Sequence, residues 1–315
     1  MKKSLMKAIF MGTPDFAVPI LRALTEYCEV QAVVTRPDAP KGRGHNLRYS
    51  PVKEAADGYG IPLLQPNRAG DDEFTEKLGE YGADVFVVAA FGLLLPEYVL
   101  RLPVKYGCIN VHASLLPKLR GAAPIQWAIM NGEKKTGVTI MHMDKKLDAG
   151  DMILKEEIEI EPDDTGGLLH DKLSVLGAGL LINALELIEA GKAKRVPQDH
   201  NTATYAPMLT KAHGHIDWRK TPDDIENLVR GLAPRPTAYA YYNGQPLKIW
   251  RVRKIPSASS AYVPGELAGF TADGFLVAAN GGFVEVLEVQ AQGSRRMTAM
   301  DYLRGHIMES GEKLE

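Results

Sequence analysis

Asn110 and His112 stand two residues apart at the end of an apolar run formed by Cys108, Ile109 and Val111. In a β-strand, residues two apart share a face, so the carboxamide and the imidazole point the same way. The polar, proline-broken stretch 114–120 ends that strand and places the pair at its carboxyl end, where open α/β sheets bind ligands. An Asn supplies a neutral donor held in place, and a His supplies a proton near pH 7. Together they suit an oxygen that becomes negative during acyl transfer, and no protein nucleophile is needed if the substrate brings one. Taken alone, N-x-H reads more readily as an Asn turn cap beside a structural histidine.

The elements that must position this pair follow from periodicity. Over the first 190 residues apolar runs alternate with amphipathic segments, the pattern of a mostly parallel sheet flanked by helices. Strands are expected at 7–11, 30–35, 61–64, 84–90, 108–112, 137–143 and 152–160. Helices are expected at 16–26, 51–56, 72–81, 124–131 and 165–190, the last opened by Thr165 and stopped by Gly191. The polar stretch 191–207 reads as a linker between a domain at 1–190 and another at 208–315. In the second domain a helix at 222–232 precedes short alternating strands. Turn signals at Asn243-Gly244, Asp273-Gly274 and Gly281-Gly282 point to a small antiparallel barrel.

Composition narrows the function. The chain has 315 residues, 45% of them hydrophobic, and no apolar run approaches the ~20 residues of a spanning helix. The basic start runs into Gly12-Thr-Pro-Asp without a small-residue cleavage site, so a cytoplasmic address is expected. Cys28 and Cys108 make no disulfide framework and read as buried thiols. G-x-G-x-x-G and G-x-x-x-x-G-K-[ST] are both missing, which argues against a dinucleotide cofactor and against ATP hydrolysis. The H-x-H of His213 and His215 lacks the further ligands of a metal site, and His142 among apolar neighbours reads as structural. No metal is expected. Net charge is only −2, yet Arg36, Lys41, Arg43, Arg48 and Lys53 face a single acid, Asp38, in 36–53. Such a long glycine-rich basic loop suits phosphate contact. Lys248, Arg251, Arg253 and Lys254 form a second basic cluster, readable as an RNA face or as a charge-protected strand edge.

HASLLPKLRGAAPIQWAI at 112–129, followed by LDAGDMI at 147–153, resembles the catalytic signature of the formyltransferases that use 10-formyltetrahydrofolate. The openings IFMGTPDFAVPIL, FGLLLP and ATYAPMLTK are similar to the branch of that family whose acceptor is methionyl initiator tRNA. The resemblance covers nearly the whole chain. It implies a Rossmann-like N-terminal domain and a smaller C-terminal OB-like β-barrel, with Asn110, His112 and Asp148 as the catalytic group. Asp148 would hold the His112 tautomer, although Leu-Asp-Ala-Gly-Asp also reads as a simple turn. Ser114, Leu115, Leu116 and Pro117 would contact the folate, with Phe91 and Leu94 as further wall residues. Lys41 and Arg43 would meet the tRNA acceptor end, with Lys248, Arg251 and Arg253 as the barrel's contribution. AHGHIDW after ATYAPMLTK departs from the family, which commonly has acids before the glycine.

Competing readings are a formyltransferase acting on glycinamide ribonucleotide or a nucleotide-linked amino sugar, and a non-catalytic RNA-binding protein. The intact N-V-H and L-D-A-G motifs speak against the last. The basic insertion and the second domain speak against the purine enzyme. With no heptad stripe to pair copies, a monomer is the default expectation.

Overall fold

The computed structural model describes residues 3–40, 47–257 and 262–315. They form two compact units. The first comprises 1–124, 136–158 and 170–206, and the second 125–135, 159–169 and 207–315. The stretch 191–207, expected as a linker, therefore clusters up to Ala206 with the first unit, because its main chain pairs there.

In chain order the elements up to residue 189 are β1 (Lys7–Gly12), α1 (Ala17–Tyr27), β2 (Glu29–Val34), β3 (Ala39–Pro40), β4 (Leu47–Arg48), α2 (Pro51–Tyr59), β5 (Leu63–Leu64), α3 (Asp72–Glu80), β6 (Val85–Ala89), α4 (Glu97–Leu100), β7 (Gly107–His112), α5 (Pro124–Met130), β8 (Lys135–His142), β9 (Met152–Glu159) and α6 (Gly166–Glu189). Seven of the strands make one sheet in the order β5-β2-β1-β6-β7-β8-β9. Pairing is parallel from β5 through β7, and β8 runs antiparallel to β7. Strand β6, Val-Phe-Val-Val-Ala, is buried along its whole length, as a central parallel strand covered on both faces must be. The order of strands reverses between β1 and β6, so a crevice opens at their carboxyl ends beside the end of β7. There the Thr13 hydroxyl donates to the Phe91 carbonyl at 3.0 Å and ties the β1 and β6 loops together. Two of the short elements missed in the sequence, β3 and β4, pair as a ribbon at the root of the basic insertion.

The second unit holds α7 (Pro222–Gly231), β10 (Ala238–Tyr242), β11 (Gln245–Pro256), β12 (Leu267–Phe270), β13 (Phe275–Ala279), β14 (Gly282–Ala291), β15 (Met297–Thr298) and α8 (Ala299–Gly305). The sheet is antiparallel, in the order β10-β11-β14-β13-β12, with β15 on β14. All three turn signals fall between consecutive strands. Asn243 and Gly244 take φ of +50° and +72°, the left-handed pair that a tight two-residue hairpin requires. The two outer strands are not left open. Leu267 and Glu312 bond through the main chain, as do Tyr241 and Glu315, so one C-terminal segment is stitched to both edges. Around Phe275, Val277, Val284 and Val286 the inward faces share one core with Ile225 and Val229 of α7.

Candidate active site

Strand β7 delivers Asn110 and His112 to its carboxyl end on one face, as the spacing requires. Asn110 is 8% exposed, and among the described residues its carboxamide has no hydrogen-bond partner in the protein. Its amide atoms are not among the sealed, unpartnered polar atoms of the described residues, so they keep contact with solvent at the carboxyl end of β7 and are free to bond a ligand. His112 is buried too. Its Nε2 lies 3.0 Å from the Leu119 carbonyl oxygen, which can only accept, so Nε2 carries the proton. Its Nδ1 then faces the Asp148 Oδ2 at 3.7 Å, beyond direct hydrogen-bond length.

Asp148 reaches this position from the loop after β8. It has φ of +47°, and its Oδ2 accepts the Gly121 N–H at 2.8 Å. Two residues on, Gly150 passes so close to the end of β8 that a Cβ would lie 1.9 Å from the His142 carbonyl oxygen. Only glycine allows that approach. Gly121 is constrained likewise, with φ of +118° and the Ala206 carbonyl oxygen 2.7 Å from any added Cβ.

The loop after β7 is internally bonded. The Ser114 hydroxyl donates to the Lys118 carbonyl at 2.7 Å. Thr139 on β8 accepts the Leu116 N–H at 3.1 Å and donates to the Ser114 carbonyl at 2.7 Å. Of the six expected folate residues, Phe91, Ser114 and Leu116 have buried side chains, and Phe91 packs in the sheet core. Leu115 and Pro117 are half-buried, and Leu94 is 81% exposed. Side-chain surface for a ligand therefore comes from Leu94, Leu115 and Pro117.

Beside the site, the buried polar residues Arg120, Thr139 and Gln198 went unread in the sequence. Gln198 lies in the stretch expected as a linker. That stretch pairs with both sides of the site, Val196 with Met152 and Tyr205 with Arg120. Its polar composition gave no sign of this, because a polar side chain buried by tertiary pairing looks in sequence like a solvated one.

Residues 6–185 match the formyl transferase family, and residues 208–307 match the formyl transferase C-terminal domain. Over 310 residues the chain is 50% identical to the methionyl-tRNA formyltransferase of Acetivibrio thermocellus, spanning 98% of this chain and 99% of that one. Identity to the methionyl-tRNA formyltransferase of Clostridioides difficile is 47% over 307 residues, 97% of this chain and 99% of the relative. This chain belongs to the methionyl-tRNA formyltransferase family. Among solved structures, the N-formyltransferase from Helicobacter canadensis in complex with folinic acid and dTDP-3-aminofucose superposes with a TM-score of 0.67 at 18% identity, over 91% of this chain and 100% of that one. HypX from Aquifex aeolicus in complex with tetrahydrofolic acid gives 0.64 at 18% identity, over 95% of this chain and 47% of that one. Those two likenesses concern the fold.

For a member of this transferase family the charged residues outside the site matter as well. Lys41 and Arg43 lie outside the described residues. Below them, Lys53 pairs with Asp38, and Gln65 donates to Asp38 at 2.9 Å, so the root of the insertion is clamped. In the antiparallel sheet of the second unit, Arg251 pairs with Glu288 at 2.9 Å, and Arg253 lies 3.3 Å from Glu285 and 3.4 Å from Asp273. Lys254 is likewise paired, with Asp223 and Glu226. The acids sit across β14 and in neighbouring segments, invisible to a count along β11. Lys248 alone of the four has no acidic partner among the described residues.

The remaining candidates resolve into structural roles. His213 caps its turn through Thr210 and meets Trp127 edge-on, and His215 stacks on Tyr239 at 5.3 Å between ring centres. Among the described residues no three His, Cys, Asp or Glu gather as a metal-ligand group. Burial pushes the Cys28 and Cys108 thiols up to about 12, so neither is a thiolate nucleophile near neutrality. No helix among the described residues is long and apolar enough to cross a membrane.

Proposed function

We propose that this chain transfers the formyl group of 10-formyltetrahydrofolate to the α-amine of methionine on initiator tRNA. The observation that carries the chemistry is the unpaired, nearly buried Asn110 carboxamide beside His112 at the end of β7. The acceptor is supported by half-identity, across almost the full length, to relatives bearing that name. The unprotonated amine attacks the formyl carbon, the bond from that carbon to N10 breaks, and one proton passes from the amine to N10. Asn110 donates to the developing oxyanion, a contact worth roughly 3 to 4 kcal/mol in the transition state. His112 adds a second donor or carries the proton, and Asp148 fixes its orientation. Leu94, Leu115 and Pro117 supply apolar wall for the folate, while Phe91, Ser114 and Leu116 shape the main chain around it.

For the tRNA, Lys41, Arg43 and Lys248 are the principal phosphate contacts. Arg251 and Arg253 share their charge with acids and contribute less. We read 1–190 as the catalytic part, 191–207 as the connection and 208–315 as an OB-like tRNA-binding domain, in a monomeric cytoplasmic enzyme without a catalytic metal. The test is formyl transfer to methionyl initiator and elongator tRNA side by side, read as blocked methionine released from the ester. Product on the initiator alone is expected. Formylation of a small amine or nucleotide-linked amino sugar, with none on either tRNA, would move the acceptor within the family.

A further inference from the structure

Arg120 is 4% exposed and has no carboxylate partner among the described residues, an expensive arrangement for a guanidinium. Its Nε and one terminal nitrogen converge on the Gln198 Oε1 at 3.1 and 2.7 Å, and that same nitrogen lies 3.0 Å from the His200 Nδ1. With its oxygen held by a cation, the Gln198 amide can face only one way. Its Nε2 donates to the Asp148 carbonyl at 2.9 Å and to the Gly150 carbonyl at 2.8 Å. Both lone pairs and both hydrogens of the amide are thus engaged, the full capacity of the group.

These bonds close a ring around the candidate catalytic pair. Leu119 receives the His112 Nε2 proton, Gly121 donates to the Asp148 carboxylate, and Arg120 between them grips Gln198. Gln198 in turn pins the main chain on both sides of Ala149, next to Asp148 in its left-handed backbone conformation. That conformation is disfavoured for a residue other than glycine and persists only where its surroundings enforce it. The distance from His112 to Asp148 is therefore set by a group in a segment that the sequence presents as a linker.

We infer that Gln198, clamped by Arg120, is a positioning residue for formyl transfer, acting by holding the Asp148 loop against His112. The inference rests on the reading of Asp148 as part of the site. Its test is kcat and KM for both substrates for Gln198→Glu and Gln198→Met, alone and combined with Asp148→Asn. Gln198→Glu keeps the size and the Arg120 contact but cannot donate to the two carbonyls. The expected result is a kcat loss of about 10- to 100-fold with KM changed less than about 3-fold, the range seen when the support of a reactive group is removed. On top of Asp148→Asn, either change should cost less than about 3-fold more, because the group it positions is already lost.

Wild-type-like kcat in both Gln198 variants, with Asp148→Asn crippled, overturns the inference and leaves the site reading standing. An equal loss with and without Asp148→Asn also overturns it, since the role is then general stability. Full turnover in Asp148→Asn removes the site reading and this inference together. If the Gln198 variants fail to fold, Arg120→Lys, which keeps the charge but loses the two-pronged grip, carries the same comparison and the same outcomes.

Discussion

Asn110 and His142 lie one register position apart on the antiparallel neighbours β7 and β8 and illustrate opposite uses of burial. Asn110 keeps an unpaired amide. Its replacement by alanine is expected to lower kcat about 10²- to 10³-fold with tRNA affinity nearly unchanged, checked by single-turnover formylation and filter binding. His112→Ala should lose turnover on a similar scale, and wild-type turnover in either variant would remove the catalytic assignment. His142 is the structural case. Desolvation first, then the nearby Arg195 charge, push its pKa down from the ordinary 6.5 to about 4, against the opposing pull of Asp151. Between those values the unfolded chain binds a proton that the folded one refuses, so stability falls as pH drops from 6.5 towards 4. His142→Gln should flatten the dependence of Tm on pH across that window, and an unchanged slope would assign the acid sensitivity elsewhere. At this scale the sequence was legible where spacing alone sets direction, as for Asn110 and His112. Arg120 and Gln198 were not legible, since each is buried by a partner about 80 residues away.

The elements carry the site by close approach of main chain. Gly150 sits where a Cβ would overlap the His142 carbonyl, so Gly150→Ala must push the Asp148 loop away from His112. We expect at least a tenfold loss of formylation together with a lowered Tm, and a variant of normal Tm and activity would show that the loop can yield. Helices with caps were readable: Ser50 accepts the Lys53 N–H at the start of α2, and Thr165 accepts the Leu168 N–H at 3.2 Å at the start of α6. The four-residue α4 and the two-residue β3 and β4 were missed, because one turn or two residues leave no period to detect, and the seven-residue α8 was missed as well.

Over the whole molecule the decisive quantity is where charge is left unneutralised. Lys248→Ala is expected to weaken tRNA use and lower the slope of log affinity against log salt by about 1, while Arg251→Ala should change it by less, since Glu288 already shares that charge. Arg43→Ala should behave like Lys248→Ala with folate affinity kept, and equal effects at Arg43, Lys248 and Arg251 would mean that pairing does not screen the charges of β11. The sequence by itself determined what local pattern can encode: the alternation of strands and helices, the three hairpin turns, the shared face of Asn110 and His112, and the family motifs around them. Only the tertiary structure decided which charges are paired, which side chains of the loop after β7 are exposed, and that the polar stretch 191–207 pairs with Met152 and Arg120. Those outcomes depend on partners brought together from distant parts of the chain, and periodicity along one segment carries no information about what will be packed against it.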